Sequence, residues 1–287
     1  DHQVSLASVA TDPEMNFSTV QVLFKRNLEE QKSVAAHRRY LLNQIYDGML
    51  NARLAERMRQ SDPPYVFAYS GNNRFVGEKQ AYVLYVGVKD KEIARGLEAI
   101  LTEAFKVKQH GFTATELERQ KKEILRNIEQ AYRERDKTES RSSADEFIRN
   151  FLQDEAIPGV AVERDLSNYF VPNVTLAEIN SLAAIRLNDG NRVVTVSSPK
   201  KDGFVPPTEN EVLKILEEAS TKKVDAYVDN IITKPLIEKK PNPGTVTKTK
   251  EIKEYSITEW ILSNGARVIL KPTDFKNDEI VFSAYSR

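Results

Sequence analysis

Residues able to do chemistry are few in this sequence, and their spacing argues against a catalytic centre. The three histidines, His2, His37 and His110, stand far apart, and no two have the one-turn helical spacing that lets imidazoles share a metal ion. There is no cysteine, which removes thiolate nucleophiles, thiolate ligands and disulfides without fixing a redox compartment. No glycine-rich loop has the phosphate-cradling or dinucleotide pattern. Glu116 and Glu118 could be read as an acid–base pair. However, Glu116 stands in the Thr-x-x-Glu relation to Thr113 that caps a helix, and Glu118 falls on a charged helix face. From Arg119 to Arg135 bases and acids interleave at one-turn spacing, the pattern of a solvated helix with Lys121 on its exposed side. His37, near an apolar stripe, reads as a packed or partly exposed residue rather than a ligand. The residues therefore supply no catalytic and no metal-ligating group and predict no cofactor in this chain. They leave the substrate-contacting positions unassigned.

The elements around these residues form a regular series. Val20, Val22 and Phe24 alternate with Gln21, Leu23 and Lys25, a strand with one wetter face. A helix is predicted from Ser33 to Arg59 with Val34, Leu41, Ile45, Met49 and Leu54 inward, stopped by Pro63-Pro64. Residues Tyr65–Ser70 and Ala81–Val88, separated by Gly71-Asn72-Asn73 and Gly77, read as a β-pair. The second is apolar on both faces and therefore central. A helix from Asp90 carries Ile93, Leu97, Ile100, Leu101, Ala104 and Phe105 on one stripe and ends at His110-Gly111. The next begins at the Thr113/Glu116 box, with Phe112 and Leu117 as its hydrophobic staple and Ile124, Leu125, Ile128 and Tyr132 continuing the face. After a polar break, Ala144, Phe147, Ile148, Phe151 and Leu152 form a second stripe against which a sheet could pack. Thr175/Glu178 and Thr208/Glu211 are two further capping boxes, and Arg192–Ser197 lies between them as a strand after an Asn-Asp-Gly-Asn turn.

The fold class these elements predict is α+β, a mainly antiparallel sheet covered by long helices. At 287 residues and 40% hydrophobic, the chain is long enough for one or two cores. Lys plus Arg equals Asp plus Glu, at 42 each, which argues against a nucleic-acid partner held by a general basic field. No run is long enough to cross a bilayer. A first domain is predicted over residues 1–232 and a Lys- and Pro-rich linker over 233–256. Residues 257–287 then open a new domain with an Asn264-Gly265 hairpin (257–262 and 266–270) and a third strand at Ile280–Tyr285. A first residue other than methionine and a strand-like end suggest a piece of a longer polypeptide.

The order of these motifs resembles a family. Asn51-Ala52-Arg53-Leu54-Ala55-Glu56-Arg57-Met58-Arg59 followed by Tyr65-Val66-Phe67-Ala68-Tyr69 is similar to a helix-to-strand passage of the pitrilysin/insulinase (M16) zinc peptidases. Gly111-Phe112-Thr113 with Glu116-Leu117 and Lys121 or Lys122 resembles that family's Gly-x-Thr-x-x-Glu-Leu-x-x-x-Lys signature. Val174-Thr175-Leu176-Ala177-Glu178-Ile179 resembles the later part of the same domain. Leu262-Ser263-Asn264-Gly265-Ala266-Arg267-Val268 resembles the hairpin that opens each half of such an enzyme.

The resemblance implies an M16 (LuxS-like) domain in a zinc-dependent metalloendopeptidase that degrades or processes unfolded peptides. Active domains of the family carry His-x-x-Glu-His, whose histidines hold zinc and whose Glu takes a proton from the bound water. That pattern is absent here, so no ligand or base is carried over, and zinc is expected in the parent rather than in this piece. The chain then resembles the non-catalytic second domain of the first half, with the start of the second half. Its expected partners are the catalytic zinc-binding domain, the second half of the same polypeptide and an unfolded peptide substrate. A bacterial periplasmic parent is expected rather than a cytoplasmic one. Two alternatives stay open: a non-peptidase scaffold or core subunit of the same fold, and an unrelated peptide-binding module that adds a strand at a sheet edge.

Overall fold

The computed structural model describes residues 1–89, 91–229, 234–235, 237–276 and 279–286. A five-stranded sheet is built from β1 (Leu6–Asp12), β2 (Ser18–Asn27), β3 (Phe67–Arg74), β4 (Lys79–Val88) and β5 (Arg192–Pro199) in the order β1-β5-β2-β4-β3. Every pairing is antiparallel except β1 with β5. Side chains alternate across such a sheet. Val20, Val22, Phe24, Tyr82, Leu84, Val86, Val194 and Val196 point to one face and are buried under α1 (Val34–Met58) and α2 (Ile93–His110). Leu23, Ala81 and Val83 form a smaller cluster on the opposite face with Tyr85 and Val193.

The helices begin and end where local chemistry requires. Ser33 caps α1 by accepting from the Ala36 N–H, which satisfies one of the donors a first turn leaves free. Gly111 closes α2 at φ +75, and a Cβ there would meet the Asn180 side-chain amide at 2.5 Å. Only glycine fits that turn without strain. Three further helices, α3 (Ala114–Arg133), α6 (Leu176–Arg186) and α7 (Glu209–Thr221), each open on a complete capping box, as their sequences predict. The α2 stripe is fully inward, with Leu97, Leu101 and Ala104 at 0% exposure. Among the described residues no helix is long and apolar enough to cross a membrane.

Several expectations are corrected. Strand β1 pairs in parallel with β5, nearly the whole domain away in sequence, so no local turn signals it. Helix α5 (Val160–Phe170) starts at Gly159 without a side-chain cap, and its Val160 and Val162 do not favour a helix. The turn between β3 and β4 is at residues 75–78, with Gly77 at φ +57, rather than at Gly71-Asn72-Asn73. Val34 sits at the first turn of α1 and is exposed, not inward. The proposed start of α2 at Asp90 and the domain boundary at Ile232/Thr233 lie outside the described residues. Within the stretch read as linker, Val246–Ile252 forms strand β6, where β-branched Val and Thr alternate with Lys. It pairs with β7 (Ile257–Leu262), which pairs with β8 (Arg267–Leu270) around the Asn-Gly turn. The third place in this small sheet is therefore taken by β6, and residues 280–285 are in no strand. Helix α4 (Ser140–Gln153) carries the second apolar stripe, but that stripe faces outward.

Packing of the α2 stripe and the capped first turns are separable contributions to stability. Leu101→Ala, at a fully buried site, is expected to cost about 2–5 kcal/mol. Val34→Ala, at an exposed site, is expected to stay within about 0.5 kcal/mol. Denaturant midpoints of the two variants check the assignment of the α2 face as the core.

Candidate functional site

Glu116 does more than cap α3. Its Oε2 accepts from the Thr113 N–H at 2.8 Å and from the Thr113 hydroxyl at 2.9 Å, closing the capping box. The same carboxylate receives Arg53 from α1: Nε donates to Oε1 at 2.6 Å and Nη2 to Oε2 at 2.9 Å. Nη2 also reaches the Gly111 carbonyl at 3.2 Å. Both side chains are almost fully enclosed, at 1% and 4% exposure. The Arg53 guanidinium lies 4.9 Å from the Phe112 ring centroid and 4.1 Å from that of Tyr227, distances at which an aromatic face attracts a cation.

A second buried centre joins Arg186 of α6 to Asp47 of α1 and to the Asn43 Oδ1 at 2.7 Å. The rings of Tyr46 and Tyr82 stand 4.1 Å and 4.7 Å from its guanidinium. Asn72 Nδ2 donates to the other Asp47 oxygen at 3.2 Å, and Arg26 donates to Asn72 Oδ1 at 2.6 Å. Burial pushes the Asp47 carboxyl up from its ordinary value against the pull of Arg186, and burial likewise raises the Tyr46 and Tyr82 hydroxyls. In each centre arginine and carboxylate are already in contact, so the pairs tie α1 to α3 and α1 to α6.

The chemistry-bearing residues of the sequence are not brought together. His2 Nδ1 meets its own neighbour, the Val4 carbonyl, at 2.6 Å. His110 Nε2 meets the Val224 carbonyl at 2.6 Å. His37 is half-buried against Tyr40, and burial lowers its pKa. Among the described residues no three His, Cys, Asp or Glu side chains are grouped so as to hold a metal ion. Zinc needs three or four such donors around one point, so the residues present do not fit it. Glu118 binds Lys121 at 3.1 Å on the surface. Lys121 is not the freely exposed lysine its charged face suggests: its side chain is 12% exposed and its Nζ also donates to the Pro172 carbonyl at 3.2 Å.

Two surfaces of the described residues combine apolar side chains with an open position in the fold. The helix-free face of the sheet carries a shallow hollow of about 280 Å³ floored by Leu23, Ala81 and Val83 and rimmed by Tyr69, Arg74 and Tyr85. It adjoins β3, an edge strand. Spacing alone could have suggested the apolar floor, since Leu23 sits on the wetter side of its strand and Val83 on a strand apolar on both faces, but only the pairing places them side by side. The other surface is α4. Phe147, Ile148, Phe151 and Leu152 are 61%, 53%, 86% and 63% exposed, while Ser143, Glu146 and Gln153 are the half-covered residues of the same helix. The apolar side of an amphipathic helix thus faces away from the core that normally buries it.

Helix termini and ion pairs yield two expected outcomes. Thr113→Ala removes only the cap and is expected to cost about 1 kcal/mol. Glu116→Ala also strands the buried Arg53 charge and is expected to cost about 3–5 kcal/mol. Equal shifts in denaturant midpoint would contradict the double role of Glu116. At the α6 box, Glu178 is held down to about 2 by Arg38, with the Thr175 backbone and hydroxyl adding to the effect. A carboxyl depressed in the folded state stabilises above its ordinary pKa of about 4.3, and that contribution disappears as pH falls towards 2. The midpoint gap between the native protein and Glu178→Gln is therefore expected to be constant near neutrality and to close between about pH 4.5 and 2.

Comparison with known proteins agrees with this geometry. No protein-family profile matches the chain. A "Zinc protease PQQL-like" of Arabidopsis thaliana is 27% identical over 285 residues, covering 99% of this chain and 27% of the relative. A "Probable zinc protease PqqL" of Haemophilus influenzae is 21% identical over 273 residues, covering 94% and 29%. The chain thus spans less than a third of the length of the curated relatives it matches. The periplasmic protease PqqL from Escherichia coli superposes with a TM-score of 0.70 at 17% identity, over 94% of this chain and 30% of that one. The structure of that protein's first half also gives 0.70, at 15% identity, over 79% and 49%. A predicted insulinase family protease from Yersinia pestis gives 0.64 at 12% identity, over 76% and 46%. The chain has the α+β fold of the M16 (pitrilysin/insulinase) peptidases, and its sequence relatives are PqqL-like zinc proteases.

Proposed function

We propose that this chain is the non-catalytic second domain of the first half of a zinc metalloendopeptidase, with the start of the second half at its end. Residues 1–232 make up that domain, and the next opens with the small sheet that begins at β6, Val246–Ile252. Its work is to dock on the catalytic domain and to wall a chamber in which unfolded peptides are cleaved. Zinc and the catalytic residues belong to the rest of the polypeptide, and the compartment is the periplasm, as for the E. coli protease.

The observation that carries this reading is the bare apolar stripe of α4. A helix that turns Phe147, Ile148, Phe151 and Leu152 to water is stable as part of a larger assembly, because each such side chain gains roughly 1.5–3 kcal/mol on burial. The catalytic domain is its occupant. The chain accounts for 49% of the E. coli first half, which leaves room there for one further domain of similar size. The hollow beside β3 supports the wall function, since an extended peptide can lie along a sheet edge and place a side chain in an apolar recess.

The experiment is a binding measurement between this chain and a separately prepared upstream domain of the parent. Phe147→Asp together with Phe151→Asp is expected to weaken binding by roughly thirtyfold or more, the scale of losing an interface hot spot. The same variants should leave thermal stability of the isolated chain nearly unchanged, because the stripe is exposed there. Unaltered binding would overturn the docking role of α4.

A further inference from the structure

After α7 the chain runs from Lys222 to Asp229 without helix or strand, yet it is held by side chains of three helices. Gln109 at the end of α2 donates to the Lys222 carbonyl at 2.7 Å and accepts from the Val224 N–H at 3.3 Å. His110 binds the Val224 carbonyl, and Glu98 holds the Lys222 ammonium at 2.7 Å. The Tyr227 ring then lies against the Arg53 guanidinium of α1, and its hydroxyl reaches the Glu56 carboxylate at 2.9 Å. Asp229 ends the run at the first turn of α3, accepting from Arg119 at 2.7 Å and from the Thr115 hydroxyl. Arg119 holds the Asp229 carboxyl below its usual range, and burial raises the Tyr227 hydroxyl, with Glu56 adding to the shift.

An irregular segment has no ladder of its own, so side-chain contacts must supply its order. These contacts converge on the enclosed Arg53–Glu116 pair. We infer that residues 222–229 are a clasp: Tyr227 and Asp229 shut it over the Arg53–Glu116 pair and the start of α3, and so fix where the chain leaves the large sheet's domain. With the clasp open, water reaches the ion pair and the point of departure moves back to the end of α7. Nothing in this device depends on the docking role of α4 or on any peptide, and it is tested on the isolated chain.

Trypsin cleavage provides the measurement, since Lys222 and Lys223 lie in the clasp while Lys239, the lysine of residues 234–240 not followed by proline, lies beyond it. In one digest of the native chain, cutting after Lys222 and Lys223 is expected to be about tenfold slower than after Lys239, as for a segment that must open before it is cut. Tyr227→Ala with Asp229→Asn should bring the two rates to within about twofold. Tyr227→Phe keeps the ring over Arg53 and should retain most of the protection. Asp229→Asn alone, which removes one charge from a surface pair, provides the reading if the double variant does not fold. Equal rates in the native chain, or unchanged protection in the folded Tyr227→Ala/Asp229→Asn or Asp229→Asn variant, would overturn the clasp.

Discussion

The enclosed contact between Arg53 and Glu116 is the constraint on which the arrangement of helices rests. The pair meets three separate demands: its carboxylate takes the free donors at the start of α3 and the charge of an arginine on α1, and that arginine holds the α2–α3 turn through the Gly111 carbonyl. Two charges removed from water are stable only when nearly every donor and acceptor is matched. That requirement fixes the relative position of α1, the turn and α3 far more tightly than apolar packing, which tolerates small slides. Phe112 and Leu117, the staple of the same turn, are buried beside it. Tyr227 closes the remaining side.

The same principle accounts for further ionisable groups of the interior. Asp47 and Arg186, like Glu116 and Arg53, satisfy each other across elements, and Arg57 meets Glu103 at 2.7 Å in the same manner. A catalytic carboxylate needs a vacancy beside it for substrate or metal. The hollow beside β3 and the outward stripe of α4 offer apolar surface instead. A fold shared with zinc proteases thus retains its frame and its surfaces while its polar interior is given over to holding helices in place.

Much of the frame is legible in the sequence because it is local. The boxes at Thr113, Thr175 and Thr208, the stripe of α2 and the Asn264-Gly265 turn each depend on residues within one or two helical turns or one hairpin. What escapes is long-range or atypical. The parallel partner of β1 is β5, near the other end of the domain, and no short-range pattern announces it. Helix α5 lacks a cap, and β6 hides its strand among lysines. Arg53 is visible as part of a family-like motif, but its partner is 63 residues away. Periodicity marks the stripe of α4 correctly and still cannot say that it faces outward, because an apolar stripe looks the same whichever way it is turned.

The most direct test of the central claim separates catalysis from support. A quenched fluorescent, unfolded peptide is offered to this chain alone, to the upstream domain of the parent alone, and to both with the downstream half. This chain alone should release no fluorescence, the upstream domain should be slow, and the reassembled mixture should recover cleavage that a chelator abolishes, because positioning the peptide is what the added pieces contribute. Full activity of the upstream domain by itself, unchanged when this chain is added, would contradict the account.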